Sequence, residues 1–515
     1  MDNKKSKDKI CFLVSNDLTH DPRVQKQALT GARYGYDTLV LAWMTFENSK
    51  FLIKEENNRG YRVIRGTFMP HWTRKNYFLL NCRLAFSYWP VSLAIISFSV
   101  LKFVRYFKSV ILYCLVLLAK VRNLFFSTLK KVLLRILGLV KAILKRLKKV
   151  DKFKNSETPT ATLKKSVVVE NKSSVSTPRP LTFRQRLASY NFLMSLARFV
   201  SLVQFYIKYY VQLNKFLITE GIKFSPTVVH ANDLDTLWAG WQIKKKTGAK
   251  LVYDAHEIWT EQGLNLPKAL LNAYGWLECY LFRKIDMFVT VNDSIAQELK
   301  RRYKVKNIET EIVYNSPLFV KSNFVPVKLD AEVKVLYQGR YSVDRGLEEL
   351  VEAAKYFSKN IKLYFRGTGS EETLLKLKHL VEKMQLSDRV FFYEPVPMSD
   401  LIVAARTFDI GVVAYIPKNI NNYFCLPNKI YEYMMAGLAL AVSNLPELRR
   451  VIKENNNGIT FDPSNPKDIA KKINLLASDI VKLNQAKKNS LIGAKLNNWG
   501  QEEKKLKAIY EKLTT

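Results

Sequence analysis

The chain has 515 residues, enough for two or three domains that each bury a core. At 48% apolar and 25% charged residues it is not disordered throughout, and its five scattered cysteines (Cys11, Cys82, Cys114, Cys279, Cys425) hold no CxxC pair. That argues against a disulfide framework or zinc site and fits a reducing compartment. The 82 Lys and Arg against 45 Asp and Glu leave a net charge of +37, which points to nucleic acid or an anionic membrane.

The chain opens with Lys4, Lys5, Lys7 and Lys9 and runs straight into a strand pattern, Ile10 to Ser15. It has no apolar signal-peptide core there, so the expected location is cytoplasmic. Residues 9–65 alternate strand and helix: strand Lys9–Ser15, helix Val24–Tyr34, strands Thr38–Ala42 and Arg62–Gly66. The rhythm resumes at Pro226, with strands at Thr227–Ala231, Lys250–Asp254, Met287–Asn292 and Glu311–Tyr314. Asn315 to Lys328, with two prolines, reads as a linker. A second run follows, with strands at Val333–Gln338, Lys362–Arg366, Val390–Tyr393, Ile410–Ala414 and Leu438–Ser443. Such alternation predicts two α/β units with parallel sheets, and ligands at the carboxyl ends of the strands.

Residues 67–219 interrupt the first unit. From Asn57 to Val150 there is no acidic residue, and 19 are Lys or Arg. Leu84 to Leu101 carries no charge, and Leu124 to Lys149 sets Leu129, Leu133, Ile136, Val140, Ile143 and Leu147 opposite Lys131, Arg135, Lys145 and Lys149. Residues 151–180 read as a disordered linker, and Leu181 to Leu217 as a second amphipathic stretch. A wide apolar stripe opposite a basic face suits an anionic membrane surface better than nucleic acid. An in-plane helix and a transmembrane hairpin both satisfy the pattern. A single span does not, because the chain must return to the same sheet.

Polar residues gather at the predicted carboxyl ends. Asp17, His20, Asp21 and Arg23 follow the first strand, and Asp21 also suits a helix cap. His256 ends the strand at Lys250–Asp254. His230-Ala231-Asn232-Asp233-Leu234-Asp235 contains two carboxylates in a D-x-D pattern, which is too little to predict a metal site. In the second unit Gly339-Arg340 follows the first strand and Arg345-Gly346 opens the next helix, placing two cations at a helix start where an anion would be stabilised. Gly367 and Gly369 follow the second strand, and Glu394 the third. Pro427-Asn428-Lys429-Ile430-Tyr431-Glu432 starts a short helix closed by Gly437.

The Pro427–Gly437 segment, with Arg340, Arg345 and the glycine turn, resembles the nucleotide-sugar lobe of the family 4 retaining glycosyltransferases. The resemblance covers about two-thirds of the chain, nearly everything outside the insertion. It implies an α/β, GT-B fold: two Rossmann-like lobes facing a central cleft, with a helical amphipathic insertion in the N-terminal lobe. Residues 1–66 and 220–318 would form the acceptor lobe and 319–490 the nucleotide-sugar lobe, with 491–515 crossing back as a helix. It further implies a UDP-, GDP- or dTDP-sugar donor, a glycan or lipid-linked acceptor, and same-face displacement without metal or cofactor. By that resemblance, His256 lines the donor sugar, Arg340 and Arg345 hold the phosphates, and Glu432 holds the ribose. Gly339, Gly367, Gly369, Glu394, Asn428 and Lys429 complete the donor site; Asp17, His20, Asp21 and Arg23 face the acceptor. The family has a second Glu eight positions before Glu432, where this chain has Phe424. Sugar contacts then fall to Lys429, Asn422 and the Tyr423–Pro427 backbone. Two alternatives stay open: a degenerate lobe pair that binds glycan or scaffolds a membrane assembly, and an epimerase acting on the nucleotide sugar.

Overall fold

The computed structural model describes residues 8–19, 21–44, 54–58, 60–67, 209–263, 266 and 268–515. By contacts the chain divides into two units, residues 1–87 with 205–515 and residues 88–204, and every described residue lies in the first. The apolar run 84–101, the amphipathic stretch 124–149, the linker 151–180 and most of 181–217 lie outside the described residues.

The first lobe is an eight-stranded sheet. Its strands are β1 (Lys9–Leu13), β2 (Asp37–Met44), β3 (Lys54–Asn58), β4 (Tyr61–Thr67), β5 (Val228–Asn232), β6 (Lys250–Ala255), β7 (Met287–Thr290) and β8 (Thr310–Ile312), in the order β3-β4-β2-β1-β5-β6-β7-β8. Only β3 pairs antiparallel, against β4. The second lobe is an all-parallel sheet of β9 (Val333–Gln338), β10 (Ile361–Arg366), β11 (Val390–Tyr393), β12 (Ile410–Val413), β13 (Ala439–Ser443) and β14 (Gly458–Phe461), in the order β11-β10-β9-β12-β13-β14. In each sheet the chain order reverses beside the first strand, β1 or β9. That reversal opens a crevice at the strands' carboxyl ends. Strands β3 and β14 are absent from the sequence reading. Lys54–Asn58 is wholly polar, and Gly458–Phe461 is a short edge strand with little apolar run.

Alternation within the strands explains why helices cover both faces. Val335, Leu363, Val412 and Ala441 lie in one core of the second lobe, whereas Leu336, Tyr364, Val413 and Val442 lie in the other. The first lobe packs Phe12, Val40, Val228 and Val252 against Trp499, Leu506 and Tyr510 of the last helix, Trp499–Thr514. The preceding helix, Ile480–Leu496, covers the second lobe, so the chain crosses between lobes at Asn497 and Asn498. Asn498 caps the last helix through Gly500 N, and Trp499 Nε1 donates to Thr30 Oγ1 at 3.3 Å.

The end of the 181–217 stretch requires a correction. Residues 209–224 form a helix whose Leu213 and Leu217 are fully buried, and the Phe216 ring packs 5.7 Å from that of Trp43. The apolar stripe of residues 209–217 therefore serves the lobe core, not a membrane. The first lobe correspondingly takes in this helix, ahead of the expected boundary at 220. Among the described residues no helix is long and apolar enough to cross a membrane.

Candidate functional site

Strand β1 ends in a loop folded by its own side chains. Asn16 Oδ1 accepts from Leu18 N and Asp17 Oδ1 from Thr19 N, at 2.8 and 3.0 Å. Asp21 caps the helix Pro22–Arg33, accepting from Val24 N at 3.1 Å and from Asn16 Nδ2 at 3.0 Å. His20 lies outside the described residues. Arg23 does not face an acceptor: it is 2% exposed and sits under the loop. Its Nε and Nη2 make a bidentate pair with Asp254, both at 2.9 Å, and Nη1 donates to Val313 O at 2.7 Å. A charge-assisted fork of this kind is complete without a ligand.

Asp254 is the centre of a buried network. His230 Nε2 and His256 Nε2 each lie 3.5 Å from its Oδ2, and His230 Nδ1 lies 3.0 Å from the Tyr510 hydroxyl. Burial alone would raise the Asp254 carboxyl, but Arg23 and His256 outweigh it and hold it well below the usual range. His256 is fixed from a second side. Asp233, strained at φ 60°, accepts from His256 N at 3.0 Å and places Oδ2 3.2 Å from His256 Nδ1. Burial opposes a charge on His256; Asp233 and Asp254 overcome that and raise it well above its ordinary value. The D-x-D carboxylates thus divide their work. Asp233 orients His256, while burial and Asp233 push Asp235 up to about 7. Glu257, next in line, is lifted to about 7 by burial and Asp233, with His256 and Arg345 opposing.

The next residue, Ile258, exchanges two hydrogen bonds with Asn421 of the other lobe, at 2.8 and 3.0 Å, which marks where the two sheets' carboxyl ends face each other. The β9 and β10 loops pack backbone to backbone: Gly339 N donates to Arg366 O at 2.9 Å and Tyr341 N to Thr368 O at 2.7 Å. Gly339 stands at φ 141°, and a Cβ on Gly367 would fall 1.8 Å from Gly339 O. Neither position accepts a larger residue. Gly369 pairs with Tyr341 as an isolated bridge, and Arg340 and Glu394 are exposed at the rim. Arg345 lies 3.9 Å over the Tyr415 ring, with Asp344 3.8 Å away. Asn422, expected to contact sugar, instead donates to Asp344 Oδ2 at 3.2 Å and is nearly buried.

The helix Lys429–Ala436 begins beside these loops, and Asn428 makes no side-chain cap. The N–H groups of Ile430, Tyr431 and Glu432 donate instead to the carbonyls of Pro427 and Asn428 at 3.0–3.1 Å, so the turn is closed by its own backbone and what the helix offers beside these loops is its positive dipole end. Lys429 is 9% exposed, with Nζ 4.0 Å from the Tyr337 ring centroid. Burial, then Arg345, lowers it to about 7. Glu432 lies one turn on; burial raises its carboxyl, while Lys429 and Lys26 pull it down. Gly437, at φ 80°, ends the helix as expected.

Several site residues have no motif to mark them. Lys26, lowered to about 7 by burial and Arg23, brings a first-lobe cation near Glu432. Asn421 joins the lobes, accepting from Ile258 N at 2.8 Å and donating to Ile258 O at 3.0 Å. Asn292 Nδ2 donates to the carbonyl of Phe424 at 2.8 Å. The only signal for these is an Asn-rich run, 419–422, ahead of the Pro427 stop. Among the described residues no group of three His, Cys, Asp or Glu is placed to hold a metal.

Residues 321–491 match the glycosyl transferases group 1 family, and residues 174–316 match glycosyltransferase family 4. The two segments together take in more than half of the chain. The chain belongs to the family 4 glycosyltransferases. It is 25% identical over 272 residues to an uncharacterized glycosyltransferase of Methanocaldococcus jannaschii, covering 49% of this chain and 66% of that protein. It is 28% identical over 252 residues to spore coat protein SA of Bacillus subtilis, covering 44% and 65%. Both matches span just under two thirds of the relatives' own lengths. Among solved structures, a sucrose-phosphate synthase from Thermosynechococcus elongatus aligns with TM-score 0.60 and 13% identity, over 98% of this chain and 99% of that one. A glycosyltransferase from Rickettsia africae aligns at 0.54 and 14%, over 99% of both. These likenesses establish the GT-B fold.

Proposed function

We propose that this protein is a retaining glycosyltransferase that moves a sugar from a nucleoside-diphosphate sugar to a glycan or lipid-linked acceptor at the cytosolic face of a membrane. The observation that carries the reading is Lys429: a buried ammonium resting on an aromatic ring, beside Arg345 and the close-packed Gly339 and Gly367 turns. Two cations beside the positive dipole end of a helix suit a diphosphate whose charge grows as the glycosidic bond breaks.

In this reading Arg345 and Lys429 hold the phosphates, with Arg340 closing from the rim. The Gly339 and Gly367 turns let backbone approach the nucleotide, Glu394 seats the base and Glu432 the ribose. His256, fixed by Asp233 and Asp254, lines the donor sugar from the opposite lobe. The departing phosphate oxygen takes the proton of the acceptor hydroxyl as that oxygen attacks from the same face. No protein nucleophile is required. The acid-free basic stretch from Asn57 to Val150 supports action at an anionic membrane surface.

The test is a panel of UDP-, GDP- and dTDP-sugars, read for binding, slow hydrolysis and transfer to a membrane lipid extract. Transfer with retained anomeric configuration is expected for at least one donor. Absence of binding, hydrolysis and transfer across the panel would overturn the reading. Conversion of the free nucleotide sugar to its epimer would favour the epimerase alternative instead.

A further inference from the structure

Trp241, Trp276 and Tyr280 form a ladder on two neighbouring helices of the first lobe, Leu234–Thr247 and Lys268–Phe282. Trp276 and Tyr280 stack at 6.1 Å, and Tyr280 meets Trp241 edge-on at 5.7 Å. Trp276 is 50% exposed and Tyr280 36%. Cations sit on the same rings: Lys245 Nζ lies 4.8 Å over Trp241 and Lys284 Nζ 5.4 Å over Tyr280. The local carboxylates are withdrawn from this surface. Glu278 is fully buried under the hydroxyls of Tyr253 and Tyr303, Asp286 is paired to Lys244 at 2.6 Å, and Asp235 lies at the far end of its helix.

Beyond Arg283 the surface continues into a groove of about 980 Å³. Arg283, Lys300, Arg301, Lys304 and Lys306 line it, and no acidic residue does. Arg301 is already paired with Glu298, and Arg283 donates to the carbonyls of Cys279 and Tyr303; among the described residues no ion pair is formed by Lys300, Lys304 or Lys306. The groove and the ladder's lysines lie toward the amino-terminal ends of β6 and β7, away from the donor crevice at the carboxyl ends.

We propose that this ladder and groove dock a bilayer that carries anionic lipid. Tryptophan and tyrosine favour the headgroup level, where the ring is buried and the polar edge stays wet. Lysines around them gain from the negative surface potential. Nucleic acid fits the same charge less well. A strand of bases stacks on successive free ring faces, whereas here Trp241 and Tyr280 each carry a lysine and Trp276 is stacked on Tyr280. The inference goes beyond the donor-site reading: it gives the membrane-face action a second attachment, within the folded lobe and separate from the insertion.

The experiment sediments the full chain with vesicles of phosphatidylcholine, with and without phosphatidylglycerol. Wild type is expected to bind the anionic vesicles preferentially. Trp276→Ser with Tyr280→Ser should lower partitioning tenfold or more. Lys245→Ala with Lys284→Ala should lower it by about fivefold per charge. Both pairs are at the surface, so donor affinity should stay that of wild type, which checks folding. Partitioning within twofold of wild type for both pairs overturns the proposal. So does a Trp276/Tyr280 variant that only shifts the protein from dimer to monomer. Should wild type bind no nucleotide sugar at all, the transferase reading fails while the vesicle result still decides this one.

Discussion

The ammonium of Lys429 rests 4.0 Å from the centre of the Tyr337 ring, directly below Gly339. A Cβ on Gly339 would lie 2.7 Å from that nitrogen, so the glycine leaves the space that the lysine fills. The ring stabilises a cation without neutralising it. A lysine that forms no ion pair among the described residues is suited to an anion that arrives with the substrate.

Donor binding should therefore take up a proton. Lys429 is held near 7 by burial and by Arg345, against an ordinary value of 10.5. A bound diphosphate restores the charged form, so at pH 8 uptake should approach about one proton per donor bound. Calorimetry in two buffers of different ionisation enthalpy reads it directly. Lys429→Met should remove the uptake and weaken binding, whereas Lys26→Met, on the other lobe, should not remove it. The sign for stability runs the other way. Between about 7 and 10.5 the unfolded chain holds this proton and the free folded chain does not, so this side chain's contribution to stability rises with pH across that window. Uptake unchanged in Lys429→Met would show that another group titrates.

Arg345→Ala should weaken donor affinity by about 10–100-fold, the range for a lost hydrogen bond between charged groups. Arg345→Lys should fall between, because it keeps charge but loses the flat stack on Tyr415. Titration with the active nucleotide sugar checks both. Equal affinity in Arg345→Ala would move the phosphates elsewhere.

The Arg23–Asp254 pair should be a stability element. Asp254→Ala leaves Arg23 buried and uncompensated, at a cost of about 3–5 kcal/mol. Chemical denaturation at pH 7 measures it. The Asp254 carboxyl is held well below 3.8, so its contribution is fully present above the unfolded value and is lost as pH falls through the folded one. The wild-type advantage over the variant should shrink in acid. An advantage independent of pH would show that the loss is one of packing alone.

Asn421→Ala should loosen the two lobes. It removes both hydrogen bonds to the Ile258 backbone. At about 1 kcal/mol net for each, the open form gains roughly tenfold or more. Small-angle scattering should show a larger radius of gyration for the free protein, reversed by saturating donor. An unchanged radius would leave Asn292 and Ser294, with its partner Glu447, as the main tie between lobes.

The lobes were legible because parallel strands buried on both faces are short, nearly unbroken apolar runs, such as Val333–Gln338 and Val390–Tyr393, whose bounds agree with the structure. The glycine turns and the helix start at Lys429 were legible because close backbone approach demands glycine and a Pro-Asn stop marks where a helix begins. Arg23 was misplaced for a related reason. Its position after β1 is set by local sequence, but its direction is set by Asp254, 231 residues away. The amphipathic period of residues 209–217 likewise indicated an apolar face without identifying what covers it, which is the lobe itself through Trp43.

Local chemistry in the chain, then, determined the two-lobed α/β plan, the carboxyl-end location of the crevice and the residue types for a diphosphate. Tertiary structure decided which charges are already satisfied and which are free. Arg23 is spent on Asp254, Asn422 on Asp344 and Asp233 on His256, while Lys429 forms no ion pair among the described residues and rests on the Tyr337 ring. That distinction depends on pairing and burial between residues far apart in sequence. Neither spacing nor periodicity carries it, because desolvation and partner distance exist only once the lobes are folded together.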